Sequence, residues 1–279
     1  MNNSVSLKPP TYRSRSIQHR AYAALAAWSF SLVATCAGAA VPAHTGTTNP
    51  IAEGFSVLSC CGAATAGPVN NDLGQAIWSI SASSTASQFG YMSGGLTADQ
   101  KNGILAEGFS MSFAARAVRS LAPAYDSINH VILLGVFLDN GVRRFEVDLG
   151  VNAQGDTVVV LPTSIDAFGP GASIRSPGQS FTLVGSGSTY HDYLLNYNPT
   201  TQLASLSVDG TQELTGYAGH TSFVGNRGLV WVAVSGGIGN FANVSVSLVP
   251  EPSTTAMYLA GLLSVLAVVS RHHRRRADA

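Results

Sequence analysis

Short segments in which apolar and polar residues alternate recur through the middle of this chain, and they restrict its fold more than any other feature. In the segment 108–113, Phe109, Met111 and Phe113 fall on one face because successive strand residues point to opposite sides. The segments 142–149, 193–197 and 204–208 alternate in the same way. No stretch of about ten residues has a helical period near 3.6. The middle of the chain is therefore predicted to be all-β.

Turn residues separate these segments at short intervals. The Asp-Asn-Gly sequence at 139–141 predicts a hairpin, because Asn and Gly accept a positive φ. The sequences at 152–155, 198–201 and 209–210 predict three further turns. The segments 130–138 and 229–234 are almost continuously apolar, as in strands covered on both faces. Many short strands joined by such turns favour a two-sheet antiparallel sandwich or jelly roll.

Three motifs in this region resemble the laminin-G type of concanavalin A-like domain. They are Tyr-His-Asp-Tyr at 190–193, Asn-Pro-Thr-Thr at 198–201, and Ser-Val-Asp-Gly at 207–210. The segment 241–246 is similar to the final strand of the same fold. The resemblance loosely covers 60–210 and 228–248, and it implies a two-sheet jelly roll of about a dozen strands. Its motifs are structural and imply no ligand.

The C-terminal end combines three features in a fixed order. Val-Pro-Glu-Pro-Ser at 249–253 precedes an uncharged apolar run of 17 residues at 254–270. As a helix, this run would extend about 25 Å at about 1.5 Å per residue, which is at the short end for a bilayer core of about 30 Å. A basic cluster follows and predicts that this end stays in the cytoplasm and the preceding domain outside the inner membrane. The cluster consists of Arg271, Arg274, Arg275 and Arg276.

This order of parts resembles the PEP-CTERM sorting domain of bacterial surface proteins, a tail also described as the ice-binding protein C-terminal domain type. In that family an exosortase, a membrane-embedded cysteine transpeptidase, cleaves near the motif. The resemblance implies an inner-membrane-anchored precursor that is then processed to the cell envelope or extracellular matrix. An ordinary anchor with a chance Pro-Glu-Pro is the alternative. The implied recognition residues are Val249, Pro250, Glu251 and Pro252.

The N-terminal residues are typical of a secretory signal peptide. An apolar segment at 21–33 follows four basic residues and precedes Ala-Gly-Ala-Ala at 37–40. We expect cleavage after Ala39 or Ala40. No Arg-Arg pair precedes the apolar segment, so the general secretion machinery is expected to export the chain. The predicted organisation is a signal peptide at 1–40, a concanavalin A-like sandwich at 41–248 and a sorting signal at 249–279, whose transmembrane helix is 254–270 and whose basic tail is 271–279.

The charge of the exported part excludes one class of partner. Residues 41–250 hold seven basic and 13 acidic residues, a formal charge of −6, although the whole chain sums to zero. A protein that binds nucleic acid needs a clustered basic face, so no nucleic-acid partner is predicted.

Two adjacent cysteines, Cys60 and Cys61, remain after removal of the signal peptide. They could form a vicinal disulfide, pair between molecules or stay as two buried thiols, and the sequence favours the thiols because adjacent residues seldom meet disulfide geometry. No Cys or His cluster has the spacing of zinc ligands, so no metal site is predicted.

One pair of carboxylates requires separate consideration. Glu146 and Asp148 share a face, as do the acids of laminarinase-like glucanases with Glu-x-Asp-x-x-Glu or Glu-x-Asp-x-Glu on a strand. Retaining hydrolysis needs two carboxyls about 5–5.5 Å apart, but the next position on this face is Gly150. We interpret the pair as solvated residues beside Arg143 or Arg144 and predict no catalytic residue.

Other catalytic and metal-binding arrangements receive weaker support. His191 lies beside Asp192, but the Gly/Ser segment 184–188 lacks the frame of a nucleophile elbow, so no hydrolase triad is predicted. No cofactor is predicted, with Ca²⁺ as the alternative because four oxygen-bearing side chains could converge. These are Asp139, Asp148, Asn152 and Asp156, whose presence turn chemistry also explains.

Four aromatic residues are candidates for glycan contact, because their rings could stack on sugars if they face a groove. They are Tyr190, Tyr193, Tyr197 and Trp231, and packing in the core is the alternative at strand spacing. The sequence thus predicts an exported, non-enzymatic, lectin-like sandwich that binds glycan or exopolysaccharide. Two alternatives stay open: a polysaccharide-active glycoside hydrolase or lyase on the same fold, and a purely structural matrix protein.

Overall fold

Sixteen β-strands and one helix make up the regular structure of the residues that the computed structural model describes, which are 40–126, 130–167, 174–187, 189–222 and 225–248. The all-β prediction is therefore confirmed. The strands are β1 (His44–Thr45), β2 (Ser56–Cys60), β3 (Ala64–Asp72), β4 (Gln75–Ala82), β5 (Gln88–Met92), β6 (Phe109–Arg119), β7 (Leu134–Asp139), β8 (Arg143–Val151), β9 (Thr157–Ala167), β10 (Ile174–Thr182), β11 (His191–Asn198), β12 (Leu203–Val208), β13 (Thr211–Tyr217), β14 (His220–Thr221), β15 (Gly228–Val234) and β16 (Gly237–Leu248).

The strands form two antiparallel sheets of eight strands each. Sheet 1 has the order β13-β12-β11-β6-β16-β4-β3, and β1 pairs with β16. Sheet 2 has the order β10-β9-β8-β7-β15-β5-β2, and β14 pairs with β8. Most neighbours in each sheet are distant in sequence, so the chain passes repeatedly between the sheets. The described residues thus form a two-sheet sandwich.

The four turns predicted from Gly, Asn and Asp are all confirmed. The turn at 139–141 joins β7 to β8, and Gly141 has a φ of 88°. The turns at 152–155 and 198–201 join β8 to β9 and β11 to β12. Asp209 and Gly210 have φ values of 50° and 79°, so the turn from β12 to β13 has the positive φ at both central residues that a tight hairpin prefers.

The main core lies between the two sheets and is rich in aromatic rings. Phe109 of sheet 1 packs against Phe145 of sheet 2, with ring centroids 5.1 Å apart. Trp231 of β15 is 0% exposed and contacts Phe241 of β16 at 4.9 Å. Burial of each such side chain contributes about 1.5–3 kcal/mol before entropy is counted. Contact between rings of both sheets fixes how the sheets face each other.

A second apolar cluster lies on the outer face of sheet 2, where Tyr125 packs against it. This cluster explains the almost continuous apolar segments in the sequence, because β7 and β15 are buried on both faces. Its buried members are Ile132, Phe137, Val158, Val160, Val230, Val232 and Val234.

The helix α1 (Ala98–Ala106) was not predicted from the sequence. Thr97 caps it, accepting a hydrogen bond from the backbone N–H of Gln100, whose side chain in turn accepts one from the N–H of Thr97. Only Gln100 and Ile104 are buried in this helix. It therefore has no apolar stripe, and a search for helical periodicity could not find it.

Cys60 and Cys61 form a vicinal disulfide in the turn between β2 and β3. Both residues are exposed, so the interpretation as buried thiols is wrong for this structure. Cys61 takes a positive φ of 64°, and Gly62 after it has a φ of 141°. This turn joins an edge strand of sheet 2 to an edge strand of sheet 1.

The described residues belong to one compact unit, Ala40–Glu251. Residues 1–39 of the predicted signal peptide lie outside the described residues, as does the whole predicted sorting signal, 249–279. Among the described residues, no helix is long and apolar enough to cross a membrane.

Candidate functional site

Three of the four aromatic residues predicted to contact glycan lie in the core instead. Tyr193, Tyr197 and Trp231 are 1%, 6% and 0% exposed. Each ring packs on another core ring, such as that of Phe113 on Tyr193 at 4.7 Å and that of His44 on Trp231 at 4.6 Å. A ring buried in this way has no face to offer a sugar. For these three residues the prediction of glycan contact is corrected to core packing.

Tyr190, the fourth aromatic residue, is partly exposed and belongs to a polar cluster on the outer face of sheet 1. Its hydroxyl donates a hydrogen bond of 2.5 Å to Oδ2 of Asp72. Nη1 of Arg116 donates to both oxygens of the same carboxylate, at 2.8 and 3.0 Å. Nδ2 of Asn240 donates to Oδ2 at 2.6 Å, and Oδ1 of Asn240 accepts from Ser79 at 2.8 Å. The position of the Tyr190 ring is therefore fixed by the carboxylate of Asp72, both oxygens of which accept hydrogen bonds.

This cluster shifts the pKa values of Asp72 and Tyr190 in opposite directions. Burial alone would raise the pKa of Asp72, but the hydrogen bonds from Tyr190 and Asn240 and the charge of Arg116 outweigh it, so its pKa lies below the ordinary value. Burial, followed by the hydrogen bond to Asp72, raises the pKa of Tyr190. Asp72 is thus held ionised and Tyr190 held neutral at physiological pH.

Beyond this cluster, short hydroxyl and amide side chains occupy the outward positions of the central strands of sheet 1. Oγ of Ser112 and Oγ of Ser245 share a hydrogen bond of 2.8 Å. Ser110 donates to Oδ1 of Asn196 at 2.6 Å. We call this surface the polar face and define it by Ser110, Ser112, Asn196, Ser207, Asn243 and Ser245.

A β-bulge keeps the polar face continuous on β16. The pairing of β16 with β6 shifts register between Phe241 and Asn243, so Asn240 and Asn243 both point outward although they are three residues apart. Oδ1 of Asn243 accepts a hydrogen bond of 3.1 Å from the backbone N–H of Ala114. The side chain thus provides a partner for a backbone N–H at the bulge. Without the bulge, the amide of Asn243 would point into the core.

A cavity of about 330 Å³ opens on the polar face. Hydroxyl, amide and carboxylate groups from four strands and the turn after β12 converge on it, beside one partly exposed leucine, Leu194. Such groups can donate and accept several hydrogen bonds within a small volume. The side chains that define it are Ser112, Asp192, Leu194, Ser207 and Asn243.

Sequence reasoning missed this cavity, and one signal could have indicated part of it. The alternation in 108–113 and 204–208 already places Ser112 and Ser207 on outward positions. Their proximity depends on β11 lying between β6 and β12, and that order is set by tertiary pairing. Small serines also look like ordinary solvated strand residues when each is seen alone.

The carboxylates Glu146 and Asp148 are not solvated, which corrects the interpretation made from the sequence. Both are 0% exposed on the outer face of sheet 2. Nε2 of His220 lies 3.0 Å from Oε2 of Glu146, and Nη1 of Arg144 lies 3.7 Å from the same oxygen. Alternation correctly placed both carboxylates opposite Phe145, but it could not show that this face is also covered.

Arg144 organises the rest of this buried cluster. Its Nε and Nη2 donate to Oδ2 of Asp139 at 3.2 and 3.1 Å, and its guanidinium lies 4.0 Å above the ring of Phe137. A Cβ placed on Gly135 would lie 2.6 Å from Oδ1 of Asp148 and 3.5 Å from Oε1 of Glu146. Both carboxylates therefore face the same point above β7.

Three of the four residues considered as calcium ligands serve other contacts. Asp139 pairs with Arg144, and Oδ1 of Asp156 accepts hydrogen bonds from the N–H groups of Gly185 and Gly187 at 3.1 and 3.3 Å. Asn152 accepts from the N–H of Asp156 at 2.8 Å within its turn. Among the described residues, no group of three or more His, Cys, Asp or Glu is placed to hold a metal ion.

His191 pairs with Asp209 and not with its sequence neighbour Asp192. Nδ1 of His191 lies 2.7 Å from Oδ2 of Asp209, and the N–H of Asp192 donates to Oδ1 of Asp209 at 2.9 Å. Nε2 of His191 lies 3.1 Å from Oγ1 of Thr189, which donates to the carbonyl of Ser186 at 2.9 Å. These contacts fasten the hairpin turn at Asp209 to the start of β11.

The remaining predicted site residues lie outside the described residues. They are the sorting motif Val249, Pro250, Glu251 and Pro252 and the basic cluster Arg271, Arg274, Arg275 and Arg276.

Comparisons with known proteins identify the fold and no more. No protein-family model and no curated protein sequence matches this chain. Among solved structures, the carbohydrate esterase of the Shiga toxin-encoding bacteriophage phi24B has a TM-score of 0.51 at 10% identity, covering 76% of this chain and 99% of that one.

Two further solved structures are similar at lower TM-scores. The carbohydrate recognition domain of Emp46p in its metal-free form has a TM-score of 0.46 at 9% identity and covers 76% of this chain and 97% of that one. The endo-β-1,4-glucuronan lyase of Trichoderma reesei has a TM-score of 0.44 at 10% identity, covering 75% and 95%.

Proposed function

We propose that this protein is an exported surface or extracellular-matrix protein whose concanavalin A-like jelly roll binds glycan without catalysing a reaction. The observation that carries the proposal is the cavity on the polar face, where Ser112, Ser207, Asn243 and Asp192 converge. Sugar hydroxyls both donate and accept hydrogen bonds, and these four side chains supply both roles. The likeness to the bacteriophage esterase supports the sandwich fold alone.

The cavity also has the apolar component that glycan sites require. Leu194 is 37% exposed within it and can pack against the C–H face of a sugar ring. The ring of Tyr190 lies on the same side of sheet 1, held by Asp72. Polar groups that are already bonded to one another lose little side-chain entropy when a ligand binds.

Glycan binding is tested with the mature protein on a glycan array and on the exopolysaccharide of the cells that produce it. Asp192 is exposed, and its carboxylate lies at the cavity. We expect Asp192→Ala to weaken binding by about tenfold to a hundredfold, because a hydrogen bond to a charged group contributes about 1.5–3 kcal/mol. Asp99→Ala, which removes an exposed carboxylate from the first turn of α1, should leave binding unchanged. If the unmodified protein binds no glycan, the purely structural matrix role stands instead.

For export and sorting, we propose the organisation that the sequence predicts: a signal peptide at 1–40, the sandwich at 41–248 and a PEP-CTERM signal at 249–279 that an exosortase reads. The order of motif, 17-residue apolar run and arginine cluster supports this. The test is the intact mass and cell fractionation of the native protein, with and without Pro250→Ala plus Glu251→Ala. Wild type should lose the segment after about Pro252 and leave the inner membrane, whereas the variant should stay. An intact tail in both would show that the Pro-Glu-Pro sequence is incidental.

A second candidate, a polysaccharide hydrolase or lyase, has one observation in its favour. Glu146 and Asp148 are buried on one face of β8. Oε1 of Glu146 and Oδ1 of Asp148 both approach the position that a Cβ on Gly135 would occupy. Burial and proximity of two carboxylates are common at catalytic sites. Release of reducing sugar that disappears in Glu146→Ala, but persists in the exposed control Glu213→Ala, would establish this activity and replace the non-enzymatic proposal.

A further inference from the structure

Resting on the proposed glycan-binding function, we infer that the polar face accepts a neutral polysaccharide chain that crosses the strands of sheet 1 at a right angle. Three observations carry this inference: a continuous row of side chains across five strands, the pairing of Arg116 and His191 with carboxylates beside it, and a wall at one end of the strands.

The row follows from the register of the strands. Ser245 of β16 pairs with Ser112 of β6, and Ser112 pairs with Leu194 of β11. Leu194 pairs with Ser207 of β12, and Ser207 pairs with Gln212 of β13. Paired residues point to the same side of a sheet, so these five side chains form one line across the strands. The cavity lies along the middle of this line, because Ser112, Leu194 and Ser207 all contribute to it.

The spacing of this row suits a sugar chain. Neighbouring strands lie about 4.8 Å apart, which is close to the length of one pyranose ring in an extended polysaccharide. Each ring would therefore meet a new strand, and four intervals would bring about five rings over the row. Hydroxyl and amide groups at four of the five positions match sugar hydroxyls, and Leu194 matches an apolar ring face.

The charges near the row favour a neutral chain. The guanidinium of Arg116 is bonded to both oxygens of Asp72, and His191 is paired with Asp209. The exposed carboxylate of Asp192 at the cavity would repel a uronate or sulfate group. Among the described residues of the polar face, every defining side chain is uncharged. An anionic polysaccharide would thus meet repulsion, and none of the described side chains that define the polar face supplies a compensating cation.

A wall at one end of the face determines the direction of the chain. Asp72, from the end of β3, reaches over sheet 1 to contact Arg116, Tyr190 and Asn240. Arg116 follows Ser112 on β6, and Asn240 precedes Ser245 on β16, which runs antiparallel to β6, so the cluster lies toward one end of these strands. A polymer that ran parallel to the strands would meet this cluster, whereas one that crossed the strands along the row would pass beside it.

The test measures binding of the mature protein to two matched series of oligosaccharides. The first is β-linked gluco-oligosaccharides of increasing length, and the second is glucuronate oligomers of the same linkage and lengths, which differ only in the carboxylate on each ring. In the neutral series, we expect the dissociation constant to fall by about tenfold or more as the oligomer lengthens to about five units. For longer oligomers it should stay constant. The glucuronate series should bind at least about tenfold more weakly at low salt.

Two matched variants locate the row. Ser207→Arg places a long cationic side chain on the row and should weaken the binding of the longest neutral oligomer by about tenfold or more. Ser59→Arg makes the same change at an exposed position on β2 of sheet 2 and should have no effect. Circular dichroism and a thermal melt of each variant establish that it is folded.

The outcomes separate this inference from the function on which it rests. If no glycan of any class binds, the proposed function fails. If glycan binds but glucuronate oligomers bind as tightly, if affinity stops increasing after two units, or if folded Ser207→Arg binds normally, the function stands and the chain-crossing inference is overturned.

Discussion

The hydroxyl of Tyr190 donates a hydrogen bond of 2.5 Å to Oδ2 of Asp72, a residue 118 positions earlier in the chain. This contact joins the segment before β11 to the end of β3, two strands that are separated by β6, β16 and β4 in sheet 1. Arg116 of β6 and Asn240 of β16 bond to the same carboxylate from the strands between them. One carboxylate thus ties four parts of sheet 1 together on its outer face.

Removal of this single hydroxyl should be measurable. We expect Tyr190→Phe to lower the free energy of unfolding by about 1.5–3 kcal/mol, because the bond is to a charged group, and to raise the pKa of Asp72. Urea denaturation and NMR titration of the Asp72 carboxyl measure the two effects. Tyr193→Phe is the matched control, since its buried hydroxyl has no hydrogen-bond partner among the described residues and its loss should be neutral or stabilising. If both changes destabilised the protein equally, the hydrogen bond from Tyr190 to Asp72 would not be the source of the stabilisation.

Gly135 should not tolerate a methyl group. A Cβ at this position would lie 2.6 Å from Oδ1 of Asp148, so Gly135→Ala would displace a buried carboxylate. We expect a loss of about 1–3 kcal/mol in the free energy of unfolding. Gly67→Ala on the edge strand β3, where a Cβ would have nothing within 4 Å, should change stability by less than about 0.5 kcal/mol. Chemical denaturation of both variants compares them directly.

Arg144 should contribute far more to stability than its neighbour Arg143. Arg144 is 1% exposed and pairs with Asp139, so Arg144→Met leaves a buried carboxylate without its cation. Loss of one partner of a buried ion pair typically costs about 3–5 kcal/mol. Arg143→Met, at a half-buried position, should cost less than about 1 kcal/mol. Thermal and urea unfolding of the two variants would show similar midpoints if the cluster were unimportant.

His44 should make stability depend on pH. Burial lowers the pKa of His44 below its ordinary value of about 6.5, although Nδ1 lies 2.7 Å from Oε2 of Glu53. At pH values between the pKa of His44 in the folded protein and about 6.5, His44 is protonated in the unfolded chain but not in the folded one. The contribution of His44 is therefore fully present above about pH 6.5 and is lost as the pH falls, by at most about 1.4 kcal/mol per pH unit.

A glutamine at position 44 isolates this effect. His44→Gln keeps a donor for Glu53 but cannot titrate, so the difference between its unfolding free energy and that of the wild type should shrink as the pH falls from 7.5 to 5. Urea midpoints at several pH values measure this difference. A difference that stays constant across the range would show that His44 does not contribute to the pH dependence.

The two faces of a strand illustrate how far the sequence could predict this protein. Alternation placed Glu146 and Asp148 opposite Phe145 and Val147, and the structure has the same arrangement. The period of two is a local property of an extended backbone, so the sequence contains it. Whether the second face meets water depends on what packs over it, and that information is not in the strand itself. The prediction of solvated carboxylates failed for this reason.

The aromatic residues follow the same division. Tyr193 and Tyr197 were correctly placed on one face of β11, but that face is the core. Tyr190 lies just before the strand and reaches a carboxylate from a distant hairpin. Local spacing could not distinguish the buried rings from the accessible one.

By itself, the sequence determined the all-β class, the four turns and the inward faces of β6, β11 and β12, because each depends on the residues within one strand or turn. Tertiary structure alone decided the order of strands in each sheet, the bulge in β16 and hence the meeting of Ser112, Ser207 and Asn243 in one cavity. These three residues are far apart in the chain, and no local preference encodes which strand lies beside which. Burial of the shared aromatic core between the sheets stabilises one strand order over the others, and that order creates the polar face.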